Sequence, residues 1–284
     1  MDRGNANRRV LEFYRELPFN STESPEAMAT NIRDGGSGLA YPMLRELLGP
    51  TKRVLEVGCG TGWLANSIAL HTGADATAID FNPVAIDFAR TTARILGLKV
   101  TFSVEDLFQY DPGVRFDVVV SIGVLHHTDD CHEALRRILA LVDYGGYAFV
   151  GLYHQFGRRP FLEHFKSMAS EGASERQQFE RFQSLFGSQS TDDTQRLSWF
   201  RDQVQHPHET QHTLAELVPI LEECGVQLVA TSVNRFEPIE DLEAVLEAEP
   251  AWEDLGRKRL RDGVYFPGLF VFVAQRQTPQ SRSI

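Results

Sequence analysis

Val54-Leu55-Glu56-Val57-Gly58-Cys59-Gly60-Thr61-Gly62 is the stretch around which this 284-residue chain is organised. A short apolar run carrying one acid stops at a glycine loop, and an amphipathic stretch, Trp63 to Leu70, follows. Val54, Leu55 and Val57 suit a strand covered on both faces of a parallel sheet, where strict alternation is not required. Gly58, Gly60 and Gly62 lack a Cβ, so the backbone there can turn sharply and lie close against a ligand. The amides that open the next helix have no partners within it and can donate to a polar ligand.

The spacing also says something about that ligand. A dinucleotide loop reads G-x-G-x-x-G. Here it reads G-x-G-x-G behind Glu56, an acid that suits a cationic amino acid end better than a pyrophosphate. A second apolar run, Ala76-Thr77-Ala78-Ile79, ends in Asp80. A carboxylate at the tip of strand two is placed to accept from both hydroxyls of a ribose. Phe102-Ser103-Val104-Glu105-Asp106-Leu107 then puts acids after a third short strand, where an adenine amino group would lie.

Leu55 to Gly62, Ile79-Asp80, Glu105-Asp106-Leu107 and FDVVVSIGVLHH from Phe116 to His127 stand in order and in register across residues 50–152. Together they resemble the class I S-adenosylmethionine-dependent methyltransferases. The resemblance implies an α/β fold with a doubly wound, Rossmann-like, seven-stranded sheet in the order 3-2-1-4-5-7-6, strand seven antiparallel. It implies S-adenosyl-L-methionine as cofactor. Glu56 would hold its methionine end, with backbone contacts from Gly58, Cys59, Gly60 and Gly62. Asp80 would hold the ribose with Phe81 beside the adenine, and Asp106 and the Leu107 amide would read the adenine edge. Ser121 and Ile122 would line the methionine portion.

Outward from this core, four parts are expected: an N-terminal helical lid at 1–49, the cofactor-binding core at 50–153, a helical substrate cap at 154–212 inserted after strand five, and the rest of the sheet at 213–284. Asn82, Pro83 and Gly97 bracket a helix over 83–96. The next helix is expected from about Asp129 to Tyr144-Gly145-Gly146, where relatives carry Pro-Gly-Gly. Strand five is expected at Tyr147 to Tyr153. Phe161, Leu162, Phe165 and Met168, then Phe179, Phe182, Leu185 and Phe186, have helical spacing. Thr213 and Glu216 form a capping box opening a helix that Gly225 closes. The last strand is expected at Tyr265 to Ala274, before a mobile tail.

A net charge of −11 argues against broad nucleic-acid binding, which needs a basic surface. The arginine clusters at Arg8-Arg9, Arg158-Arg159 and Arg257 to Arg261 read as solvated faces. Three scattered cysteines form neither a disulfide framework nor a zinc motif. With no signal-peptide core and no bilayer-length apolar run, a cytoplasmic protein off the membrane is expected, acting as monomer or homodimer.

Methyl transfer from a sulfonium is an in-line displacement, so positioning dominates, and a base is needed only when the nucleophile arrives protonated. The expected acceptor is a small molecule attacked at oxygen, nitrogen or carbon. His126 and His127, which follow strand four, and Tyr153 and His154, which leave strand five, are the candidate catalytic groups. Arg158 and His208 are candidate substrate contacts. His206-Pro207-His208-Glu209 with His212 contains metal-ligand residue types. Pro207 favours extended backbone before it and a capping box follows, so the stretch reads as a loop entering a helix, and no metal is expected.

Overall fold

The computed structural model describes residues 5–35, 41–187 and 190–278. Helices α1 (Asn5–Glu16), α2 (Pro25–Asp34) and α3 (Pro42–Glu46) precede β1 (Arg53–Val57). Then come α4 (Trp63–Thr72), β2 (Asp75–Asp80), α5 (Pro83–Leu96), β3 (Thr101–Val104), β4 (Phe116–Ile122), α6 (Cys131–Ala140) and β5 (Val142–Tyr153). Three helices leave β5: α7 (Gln155–Ser170), α8 (Glu175–Phe186) and α9 (Asp193–Val204). The chain closes with α10 (Leu214–Glu223), β6 (Val226–Thr231), α11 (Leu242–Glu247), α12 (Ala251–Arg261) and β7 (Leu269–Arg276).

The seven strands lie in the order β3-β2-β1-β4-β5-β7-β6, with β7 antiparallel to both neighbours. This is the expected topology. Leu55, Val57, Val119 and Val150 pack on one face with α6 and α10, while Val54, Val118, Val120 and Phe149 pack on the other with Leu64 and Ile68 of α4. Burial on both faces is why these strands read as continuous apolar runs. In register, Glu56 stands opposite Ala78 and Val120, so Glu56, Asp80 and Ile122 all lie near the carboxyl ends of their strands. Ligands of open α/β sheets bind beyond that edge.

Local chemistry sets most of the helix boundaries. Asn82 Oδ1 accepts from the Val84 amide at 3.0 Å, and Gly97 ends α5 at φ 70°. The Thr213–Glu216 capping box opens α10 as expected. Asp130 caps α6 through the Glu133 amide at 2.9 Å.

Two boundaries differ from expectation. Helix α6 ends at Ala140, and Tyr144-Gly145-Gly146 lies inside β5 as a bulge: Phe116 pairs with Val142, but Val118 pairs with Tyr147. Gly146 is required there, because a Cβ would stand 2.8 Å from the Asp117 carbonyl oxygen. The last strand starts at Leu269, not Tyr265, and takes in Gln275 and Arg276. Gly268, at φ 77°, lets the chain pass so close to α7 that a Cβ would meet the Arg158 nitrogen at 2.3 Å. Residues 36–40 of the expected N-terminal lid and the end of the tail lie outside the described residues.

The segment after β5 has an aromatic core of its own. Phe161, Phe165, Phe182, Phe186 and Phe200 bury one another with Trp199 and Tyr265. Phe182 and Phe186 stack at 5.3 Å.

Candidate active site

A cavity of about 1160 Å³ opens beyond the carboxyl ends of β1, β2 and β4. Small-molecule pockets typically run to roughly 300–1,000 Å³, so this one has room for two ligands side by side. The strand-end loops wall one part, and α1, α9 and the chain entering β7 wall the other.

The first part contains Glu56, Gly58, Cys59, Gly60, Asp80, Phe81, Asp106, Leu107 and Ile122. Glu56 is buried, and its Oε2 has no hydrogen-bond partner among the described residues. Burial pushes its carboxyl up to about 8; the Ala65 amide opposes this and the Asp80 charge adds to it. An unpaired buried carboxylate is costly unless a cation or donor meets it. Asp80 is better held: Oδ2 accepts from the Gly60 amide at 2.8 Å and Oδ1 from the Asn82 amide at 2.8 Å. Those bonds aim the carboxylate and leave a lone pair on each oxygen. Burial still raises its carboxyl above the ordinary value, against these amides and that of Phe81. Asp106 accepts from the Phe108 amide at 2.9 Å and Gln109 Nε2 at 3.0 Å, so it also builds its own turn. Glu105 lines the cavity beside it.

Two residues expected against the cofactor act behind the wall. Gly62 does not line the cavity; a Cβ there would lie 2.5 Å from Ala89 Cβ, so its role is close packing of α4 on α5. Ser121 is fully buried and donates to the Val57 carbonyl at 3.1 Å, tying β4 to β1.

The second part is aromatic with one acid. Tyr14, Trp199, Tyr265 and Tyr153 surround Asp202, and His127 stands next to it. Asp202 accepts from the Tyr14 hydroxyl, from Gln203 Nε2 at 2.8 Å and from the Tyr153 hydroxyl at 3.5 Å. Burial raises its carboxyl, with His206 and Tyr14 pulling the other way. Burial lowers His127 to about 4, opposed by its bond to the His208 carbonyl.

Of the four candidate catalytic groups, His127 and Tyr153 line the cavity, whereas His126 and His154 do not. His126 is fully buried, with Nδ1 accepting from the Tyr153 amide at 3.3 Å and its ring 4.1 Å from that of Tyr153. His154 is fully buried against Glu249 at 2.9 Å and caps α7 through the Gly157 amide. Both are fixtures of the scaffold. Arg158 is also withdrawn from any substrate: it grips Glu209 through two bonds, 3.0 and 2.7 Å, and stacks 3.9 Å over the Tyr153 ring. His208 lies outside the cavity, its ring on the Thr128 carbonyl at 3.1 Å and its own carbonyl on His127. Sequence reasoning singled out neither Tyr14 nor Asp202. The one trace of Asp202 is an acid following Trp199-Phe200 within an aromatic helix.

Known proteins resemble this chain in its core segment and in its fold. Residues 55–148 match the family model of the methyltransferase domain. The ubiquinone biosynthesis O-methyltransferase of Xanthomonas euvesicatoria is 40% identical over 101 residues, covering 34% of this chain and 41% of that protein. The protein of the same name from Bordetella avium is 36% identical over 116 residues, covering 39% and 47%. The matched segment thus spans less than half the length of these relatives. Among solved structures, PKMT2 of Rickettsia typhi in complex with AdoHcy superposes with a TM-score of 0.59 at 17% identity. That superposition covers 86% of this chain and 54% of that one, and it shows a shared fold. Among the described residues no helix is long and apolar enough to cross a membrane.

Proposed function

We propose that this chain, a class I methyltransferase by fold and by its methyltransferase domain at residues 55–148, transfers a methyl group from S-adenosyl-L-methionine to an oxygen of a small-molecule acceptor. One observation carries the reading: a single cavity joins the Glu56–Asp80 edge of the sheet to an aromatic chamber. The choice of oxygen follows the O-methyltransferase relatives.

The residues present fit the cofactor. Glu56 Oε2, buried without a partner, suits an ammonium group. Asp80 keeps lone pairs for two hydroxyls after binding its two amides. Phe81, Asp106 and Leu107 line the same part of the cavity, which supports assigning them to the adenine. S-adenosyl-L-methionine, when bound, supplies a methyl group already activated by its sulfonium. The chain then has to hold the acceptor in line and keep water out, and orientation of this kind can be worth roughly 7–11 kcal/mol. The chamber wall from α1 and α9 does both: Tyr14 and Trp199 close over it, while Asp202 and His127 offer hydrogen-bond acceptors to a hydroxyl. In this reading residues 154–212 are the substrate cap, and α1 is part of the lid.

The experiment is incubation of the purified protein with methyl-labelled S-adenosyl-L-methionine and a lysate split into small-molecule, protein and RNA fractions. Label in small molecules is the expected result. Label confined to protein or RNA would overturn the acceptor class. Cofactor binding with no transfer to any fraction, even when the lysate is enriched in phenols and other hydroxyl compounds, would favour a binding module.

A further inference from the structure

The wall of the acceptor chamber contains a cluster that the cofactor reading leaves unused. His127, Asp202 and His206 offer ligand atoms that all lie within 4.8 Å of one another. They come from three places in the chain: the 3-10 turn after β4, the last turn of α9 and the loop beyond it.

We propose that His127, Asp202 and His206 form a binding site for a divalent transition metal of the zinc type, open to the acceptor chamber. The argument begins with tautomers. His127 Nδ1 lies 2.9 Å from the His208 carbonyl oxygen, which can only accept, so Nδ1 carries the proton. Nε2 therefore presents a bare lone pair; it is buried, has no hydrogen-bond partner among the described residues, and stands 3.9 Å from Asp202 Oδ1. A backbone carbonyl behind one ring nitrogen and a lone pair on the other is the usual outer-shell arrangement of a metal-binding histidine. His206 Nε2 is also buried without a partner, but here it carries the ring proton, so ligation through it needs the other tautomer. Its Nδ1 accepts from the His208 amide at 3.2 Å, a long bond that ligation through Nε2 would give up.

Asp202 supplies the charge. Its donors, Tyr14, Tyr153 and Gln203, are all neutral. The nearby Arg158 is committed to Glu209. Two imidazoles and one carboxylate are a donor set for zinc, iron or cobalt rather than magnesium or calcium. Three protein ligands leave one tetrahedral position open, as in catalytic rather than structural sites. His127 and Asp202 line the cavity, so a metal held by the trio would sit in the chamber wall. A metal held there would anchor an acceptor oxygen, which deepens the methyl-transfer reading and rests on it only for that role.

A second trio, His132, His212 and Glu216, is a useful contrast. His132 Nε2 lies 2.5 Å from Glu216 Oε1, His212 Nδ1 is 3.3 Å from the same carboxylate, and His212 Nε2 meets the Thr210 hydroxyl at 2.8 Å. Glu216 already stands against both imidazoles and the Thr210 hydroxyl takes up His212 Nε2, although His132 Nε2 makes no hydrogen bond of good geometry; the trio lies outside the chamber and serves as a control.

The test uses the full chain after chelator treatment, with Co2+ binding followed by its visible ligand-field bands and Zn2+ by competition with a coloured chelator. One metal ion per chain is expected. Asp202→Asn, nearly isosteric, and His206→Ala should each weaken binding by more than the roughly 100-fold that loss of an outer-shell partner can cost. His132→Ala should leave it unchanged. Thermal melts of each variant separate lost ligation from lost folding. Absence of Co2+ and Zn2+ binding, binding indifferent to Asp202→Asn, or binding abolished by His132→Ala would each overturn the site. Binding of S-adenosylhomocysteine to the metal-free protein is measured alongside; it tests the methyltransferase reading whatever the metal result.

Discussion

Replacing Glu56 by Gln removes one charge and almost no volume, so any change in ligand affinity reports the charge. In the free protein the side chain is buried and its carboxyl is pushed up to about 8 by burial. Below that pH the acid is mostly protonated, and a ligand ammonium must first displace the proton. Linkage then makes wild-type affinity for S-adenosylhomocysteine about 10-fold weaker at pH 7 than its alkaline limit, and about 100-fold weaker at pH 6. Gln cannot ionise. Losing a charged hydrogen bond worth about 1.5–3 kcal/mol lowers its affinity by roughly 10- to 150-fold against the wild-type limit, with no such pH dependence. The two curves should therefore converge toward pH 6 and separate toward pH 8. Isothermal titration in two buffers of different ionisation enthalpy would also show a proton released on binding to wild type alone. The sign for stability follows from the same raised pKa: the contribution from burying the neutral acid is present below the ordinary carboxyl range and is lost as pH rises through about 8. Saturating ligand should reduce that loss. A flat wild-type profile, or the same slope in Glu56→Gln, would refute the pairing of Glu56 with a cation.

Asp80→Asn should keep the fold, because Asn can still accept at one oxygen, but weaken nucleoside binding by about 10-fold or more through lost charge-assisted bonds to hydroxyls; unchanged affinity by titration would remove Asp80 from the site. Gly62→Ala should destabilise the chain by more than about 1 kcal/mol, the centre of the range for point mutations, since the residue sits at φ 76° with Ala89 Cβ 2.5 Å from the added methyl. An unshifted melting temperature would contradict the packing role. Arg158→Met should cost about 3–5 kcal/mol by stranding Glu209, and the double change Arg158→Met with Glu209→Met should recover much of it. A denaturant series in which the double variant is as weak as the single would show that the pair is not the issue.

The strands of the core, the acids Glu56, Asp80 and Asp106 after them and the helical nature of the segment after β5 were legible from local signals, whereas the strand order followed only from the family resemblance. An apolar run ending in an acid before a glycine loop has few physical realisations, and β1 with Glu56 and Gly58 is one of them. Helix boundaries were readable where a side chain or glycine enforces them, as at Asn82 and Gly97. They were misread at Tyr144-Gly145-Gly146, where a bulge in β5 depends on its pairing with β4. The acceptor end was barely legible. His126 and His127 are adjacent in sequence, yet one ring supports Tyr153 from behind the wall and the other faces the cavity. Arg158 reads from the sequence as a solvated face or a substrate contact, but it is fully buried and paired with Glu209, a partner 51 residues away.

The sequence by itself determined the individual core strands, the glycine loop and the acids that follow the strands, because each is specified within a few residues of backbone by periodicity, turn chemistry and capping. Only the tertiary structure decided which polar groups line the aromatic part of the cavity. Tyr14 and Asp202 are 188 residues apart and share a hydrogen bond. Their meeting depends on how α1 and α9 pack over the sheet edge, and no local pattern encodes the packing of two helices so distant along the chain.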